Sequence, residues 1–204
     1  MKKIYVLPLL LLTMILYTSC KESVKKEPAI VEKTYSVDAK ATKINWTAYK
    51  TTAKAPVKGQ FTEVTIENAK KASTPLEALN GLKFDIPVSS LFTNDTIRDG
   101  KLKKFFFGAM KNTSLLSGTV NTINETSGSV SLKMNGITKD LPVTFVVKDN
   151  IVTIEANMEL NDWQAEVALN TLHEVCKELH TGKDGISKTW SDVKIEVITD
   201  LKYE

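Results

Sequence analysis

The sequence predicts an all-β domain of antiparallel strands with one or two short helices. Three observations carry this. Apolar and polar residues alternate with a period of two in segment after segment, short turns join those segments, and only two stretches show helical spacing. A period of two sends alternate side chains to opposite faces of a strand, so each segment has one greasy face and one wet face.

In chain order, Ile44, Trp46 and Ala48 alternate with Asn45, Thr47 and Tyr49, which predicts a strand. Gly59 through Ile66 reads as a second, with a phase shift between Phe61 and Val64 that suggests a bulge. Leu82, Phe84, Ile86 and Val88 form a third. Its Pro87 cannot donate to a ladder and so marks an edge, an end or a bulge. Leu115 to Ile123, containing Gly118, is a weaker fourth. The clearest signal follows. Val130, Leu132 and Met134 lead into Asn135-Gly136, after which Leu141, Val143, Phe145 and Val147 keep the alternation. Asn-Gly supplies the positive φ angles of a tight primed turn, so the pair is a hairpin. Asp149-Asn150 turns the chain into Val152 to Leu160, and Val193, Ile195 and Val197 form a strand near the C-terminus. Seven or eight strands result. Thr96 to Met110 and Glu166 to His180 carry apolar residues at three-and-four spacing and predict helices, the second stopped by Gly182. Sequential strands with one apolar face either close into a barrel or pack on a second sheet. Periodicity alone leaves both open, and closure has the advantage of removing exposed edges.

Residues 1–19 read as a signal peptide. Lys2 and Lys3 precede an apolar run from Ile4 to Tyr17, shorter than the roughly 20 residues needed to span a bilayer, and small residues follow. The Thr18-Ser19-Cys20 ending resembles the lipobox of bacterial lipoproteins, which makes Cys20 the expected lipid anchor. Tyr17 departs from the usual aliphatic residue there. Lys21 is not the aspartate associated with inner-membrane retention, so the expected location is the outer membrane, facing the periplasm. Residues 20–33, rich in Lys and Glu, read as a flexible tether, and residues 34–204 as the folded domain. Without Lys2 and Lys3 the chain holds 25 basic and 24 acidic residues. That balance offers no field for nucleic acid and no polybasic membrane patch. An acylated Cys20 also leaves Cys176 without an intrachain partner.

Few residues invite catalysis. His173, Cys176 and His180 share one helical segment and could serve metal or thiol redox chemistry. The plainer alternative is that Cys176 is a small buried hydrophobe. No phosphate-binding or calcium loop is present. The aromatic residues say more: Trp46, Phe61, Phe84, Phe106, Phe145 and Trp163 fall in or beside the apolar phases. They either fill a core or line an elongated apolar cavity, which needs greasy walls and few polar groups.

Tyr35-Ser36-Val37-Asp38, Ile44-Asn45-Trp46 and Val57-Lys58-Gly59-Gln60-Phe61 resemble the opening of the YceI-like family. Arg98-Asp99, Leu102 and Phe105-Phe106-Phe107 resemble its Arg-Asp-x-x-Leu…Phe-Phe segment, with Gly108 where an Asp is common. Met134 to Pro142 resembles its hairpin signature. The order of these motifs carries the match. The resemblance implies a lipocalin-like antiparallel β-barrel that binds a polyisoprenoid lipid, such as a quinone tail, and is not an enzyme. It implies no cofactor beyond that non-covalent ligand. Motif matching assigns Trp46, Phe61, Phe106 and Met134 to the lipid wall, and strand phase adds Phe84, Phe145 and Trp163. The segment from His173 to His180 has no counterpart in that pattern. The expected partners are the isoprenoid lipid and the membrane holding the acyl anchor, with a homodimer left open. The rival to a carrier is an interaction domain whose barrel is filled by its own side chains.

Overall fold

The computed structural model describes residues 33–204. The signal peptide, Cys20 and the tether as far as residue 32 lie outside the described residues. Twelve strands form: β1 Tyr35–Ser36, β2 Thr42–Lys50, β3 Ala55–Phe61, β4 Thr65–Ile66, β5 Lys83–Pro87, β6 Leu91–Phe92, β7 Leu115–Thr122, β8 Ser127–Met134, β9 Ile137–Lys148, β10 Ile151–Glu159, β11 Asp192–Asp200 and β12 Lys202–Tyr203. Three α-helices join them: α1 Pro75–Leu79, α2 Thr96–Lys101 and α3 Glu166–Cys176.

Ten strands make one antiparallel sheet in the order β4-β5-β7-β8-β9-β10-β11-β2-β3-β6. Its two ends are bridged by the chain itself. Residues 62–64 lead from β3, near one end, to β4 at the other, and Val88–Ser90 lead from β5 back to β6. Three residues span at most about 14 Å, so the sheet has to curl until its ends meet. The Thr62 amide and hydroxyl both donate to the Ser90 carbonyl, at 3.0 and 3.1 Å, which ties the two crossings to each other. The result is a barrel closed by chain crossings. The phase shift between Phe61 and Val64 is therefore no bulge but the place where the chain leaves β3 for the far end of the sheet. Pro87 ends β5 opposite Leu115, and the next amide, that of Val88, donates to the Ser114 carbonyl at 2.9 Å.

The hairpin holds residue by residue. Met134 pairs with Ile137, and Asn135 and Gly136 adopt φ of 53° and 73°. The Asn135 side chain fixes the tip: its Oδ1 accepts from the Lys111 amide at 2.7 Å, and its Nδ2 donates to the Trp163 and Gln164 carbonyls, each at 2.9 Å. The first expected helix is α2 followed by a π-turn over Leu102–Phe106 and a 3-10 turn over Phe107–Ala109. Asp95 caps it by accepting from the amides of Ile97 and Arg98, which satisfies two free donors of the first turn. The second is α3 with a 3-10 turn over Glu178–His180. Alternation governs burial throughout: Leu141, Val143 and Phe145 of β9 and Val152, Ile154, Ala156 and Met158 of β10 all point inward.

Candidate lipid-binding cavity

Inside the barrel is a cavity of about 230 Å³. A single water needs about 10–15 Å³ of such space, so this is no packing defect. The interior is thus not filled by its own side chains. Every long strand contributes inward residues to the wall, among them Ile44 of β2, Ile86 of β5, Leu132 of β8, Ile154 of β10 and Ile195 of β11. No charged residue lines it; the only hydroxyls are those of Thr42, Thr189 and Thr199. Thr199 bonds to Thr42 at 2.9 Å, and Thr42 donates to the Asp38 carbonyl. Those hydroxyls are satisfied by protein, which leaves an apolar interior.

The cavity follows β11 from Trp190, just before the strand, to Thr199 near its end. Nine residues of strand cover about 30 Å. Spread over that length, the volume corresponds to a bore of about 6 Å once the radius of a water molecule is restored to the wall. Carbon atoms in contact sit about 3.5–4.0 Å apart, so such a bore admits one hydrocarbon chain and not two. One end is roofed by α3, whose Leu169 and Leu172 face the cavity, together with Leu102, Phe106 and Phe107. Phe107 meets Phe106 and Phe61 edge to face, with centroids 5.0 and 6.2 Å away. The other end is bounded by Val37, Thr42 and Thr199.

Three glycines let rings lie close against the wall. Gly59, Gly118 and Gly128 fall at inward positions, and each lies beneath a ring. A Cβ at Gly59 would stand 2.2 Å from Cζ2 of Trp46; at Gly118, 2.6 Å from Cζ of Phe84; at Gly128, 2.6 Å from Cε2 of Phe145. Each ring lies flat in the space a side chain would have taken, which is how aromatic residues shelter glycine in strands. The Trp46 indole carries a cost: its Nε1 is buried without a hydrogen-bond partner.

Of the seven expected wall residues, Trp46, Phe61, Phe84, Phe106 and Met134 line the cavity. Phe145 and Trp163 do not. Phe145 is spent covering Gly128. Trp163 sits in the 3-10 turn after β10, 1% exposed, and its Nε1 donates to the Leu132 carbonyl at 3.0 Å. Both belong to the solid core.

His173 and His180 come together, but around a hydroxyl. Their Nδ1 atoms lie 2.9 and 2.6 Å from Oγ1 of Thr189, the residue that pairs with Lys50 at the end of β2. Burial, reinforced by Lys50, His173 and Lys101, pushes the His180 pKa down to about 4. Cys176 is on the buried face of α3, and burial raises its thiol pKa, the reverse of an activated nucleophile. Among the described residues, no three His, Cys, Asp or Glu side chains stand close enough to hold a metal. The arrangement fastens α3 to the barrel wall. Thr189 gave no signal in the sequence, because it lies in an irregular stretch.

Residues 35–199 match the YceI-like domain family. The fold is similar to that of a polyisoprenoid-binding domain from Saccharophagus degradans implicated in plant cell wall breakdown. That likeness has a TM-score of 0.59 at 16% identity, covering 83% of this chain and 97% of the other. It is also similar to BcnA of Burkholderia cenocepacia, with a TM-score of 0.50 at 15% identity, covering 81% and 99%. No curated protein matches the chain. Identities this low speak for the fold alone, but the family match spans most of the sequence, and its motifs fall where the barrel places them. The chain belongs to the YceI-like domain family.

Proposed function

We propose that this domain holds a long isoprenoid chain, or a similar single-chain lipid, inside its barrel, and shields or carries it in the bacterial cell envelope. The observation that carries the reading is the apolar cavity of about 230 Å³, lined by residues along the whole of β11, in a fold whose neighbour from Saccharophagus degradans is a polyisoprenoid-binding domain. Each 100 Å² or so of hydrocarbon removed from water contributes about 2.5 kcal/mol, so an extended chain binds through its surface with no catalytic residue. The leader and the lipobox-like cysteine support export and anchoring through acylated Cys20, with the outer membrane as the site. Two acyl signals are needed for stable anchoring, at about 0.8 kcal/mol per buried methylene.

The test is mass spectrometry of the natively extracted domain, followed by titration with prenols and prenyl quinones. The expected result is a bound lipid of one chain, displaced by added prenol. Repeated absence of lipid, with no uptake of either probe, overturns the reading. For the anchor, the peptide beginning at Cys20 should carry acyl chains, and Cys20→Ser should release the protein from membranes.

A further inference from the structure

Trp46 and Gly59 face each other directly across β2 and β3, and both sit level with Ile195 of β11. Along β11, Ile195 stands between Trp190 and Thr199, both of which line the cavity. Of the three glycines beneath rings, only Gly59 has ring atoms for all three of its nearest neighbours. Its three nearest neighbours are Trp46 atoms at 2.2, 2.5 and 2.8 Å. A Cβ at Gly118 would also meet the Ser131 carbonyl at 2.9 Å, and one at Gly128 the Asn121 carbonyl at 2.3 Å, so those two positions are held by backbone as well. At Gly59 the ring is the first thing that has to give, and Trp46 lines the cavity. The Trp46 Nε1, with no partner of its own, does nothing to hold the ring down.

We propose that Trp46 seated on Gly59 is the gauge that sets which lipids fit, passing one methyl-branched chain through to the far half of the cavity. The inference rests on the lipid-binding reading and adds to it the pair that fixes width and length. A methyl group at residue 59 lifts the indole by about 1.2 Å or more to restore ordinary contact, which narrows a bore already only one chain wide. A branched chain then stops at Trp46 and fills one compartment. Each methylene left outside forfeits about fourfold in affinity, so losing one isoprene unit or more costs at least about a hundredfold.

The experiment titrates the domain with geraniol, which fits one compartment, and with geranylgeraniol, which needs both. In Gly59→Ala the affinity for geranylgeraniol falls at least about a hundredfold while that for geraniol moves less than about threefold. Adding Trp46→Leu to Gly59→Ala restores the long prenol and controls for misfolding. Equal affinity of wild type and Gly59→Ala for geranylgeraniol overturns the gauge, as does a parallel loss of both prenols that the double variant leaves unrestored. If the wild type takes up neither prenol, the lipid-binding reading itself fails first, a result distinct from a gauge that fails on a domain still binding both.

Discussion

Asn135 does two separable things, and two substitutions part them. It holds φ of 53° at the hairpin tip, and its side chain makes three hydrogen bonds to Lys111, Trp163 and Gln164. Asn135→Gly keeps the backbone freedom and loses the three bonds. At about 0.7 kcal/mol per net bond, in the lower half of the usual range of about 0.5–1.5 and suited to a partly exposed site, the cost is about 2 kcal/mol. Asn135→Ala loses the same bonds and adds about 1 kcal/mol for a left-handed residue with a Cβ, for about 3 kcal/mol in all. In a domain of this size each kcal/mol moves Tm by about 2–4 °C. Thermal and urea unfolding should therefore rank wild type above Gly and Gly above Ala, with the alanine variant down by about 6–12 °C. Equal stability of the two variants would refute the backbone term. A glycine variant within about 0.5 kcal/mol of wild type would refute the hydrogen-bond term.

Three further outcomes are expected. Ala156→Phe puts a ring from β10 into the cavity; stability should stay within about 1 kcal/mol because the space is vacant, while bound lipid disappears from native mass spectra. Lipid retained at full occupancy would place the ligand elsewhere. Trp46→Phe removes the unpartnered Nε1 and should change urea stability by no more than about 1 kcal/mol, since relief of a buried donor offsets the lost ring area. A loss above about 2 kcal/mol would mean that the indole N–H has a partner in solution. The His180 pKa is lower in the fold than the ordinary 6.5, so the unfolded chain binds the extra proton first. The stability this group contributes is complete above about 6.5 and is lost as pH falls toward about 4. His180→Gln should flatten the stability profile across that window, and an unchanged slope would count against the Thr189 arrangement.

The long strands were legible because burial on one face leaves a period-two imprint, and Asn135-Gly136 fixed one register outright. Of the four two-residue strands, β1, β6 and β12 left no imprint and β4 was read as part of the segment ending at Ile66, since two residues cannot display a period. The crossing at residues 62–64 shows in the sequence as a phase shift, but a shift alone does not distinguish a bulge from a strand that ends. The wall residues divide for a physical reason. Inward phase places Trp46, Phe84 and Phe145 alike toward the interior, yet the contents of the neighbouring strand decide whether a ring borders space or packs solid. Inward-phase glycines at 59, 118 and 128, paired with aromatic residues on adjacent strands, mark where a ring lies against the wall, but Phe145 over Gly128 shows that they do not separate a ring bordering space from one packed solid. The approach of His173 and His180 to Thr189 depends on the path of residues 181–191, which carries no periodicity.

The short ribbon of β1 with β12 has a practical consequence. Thr42 pairs with Thr199, so residue 34 and Glu204 both leave the domain beyond that pair, whereas α3 adjoins Trp190 at the opposite end of β11. A bead, fluorophore or fusion partner attached at Glu204 therefore sits remote from the helical roof, and uptake can be followed on immobilised protein without obstructing that side.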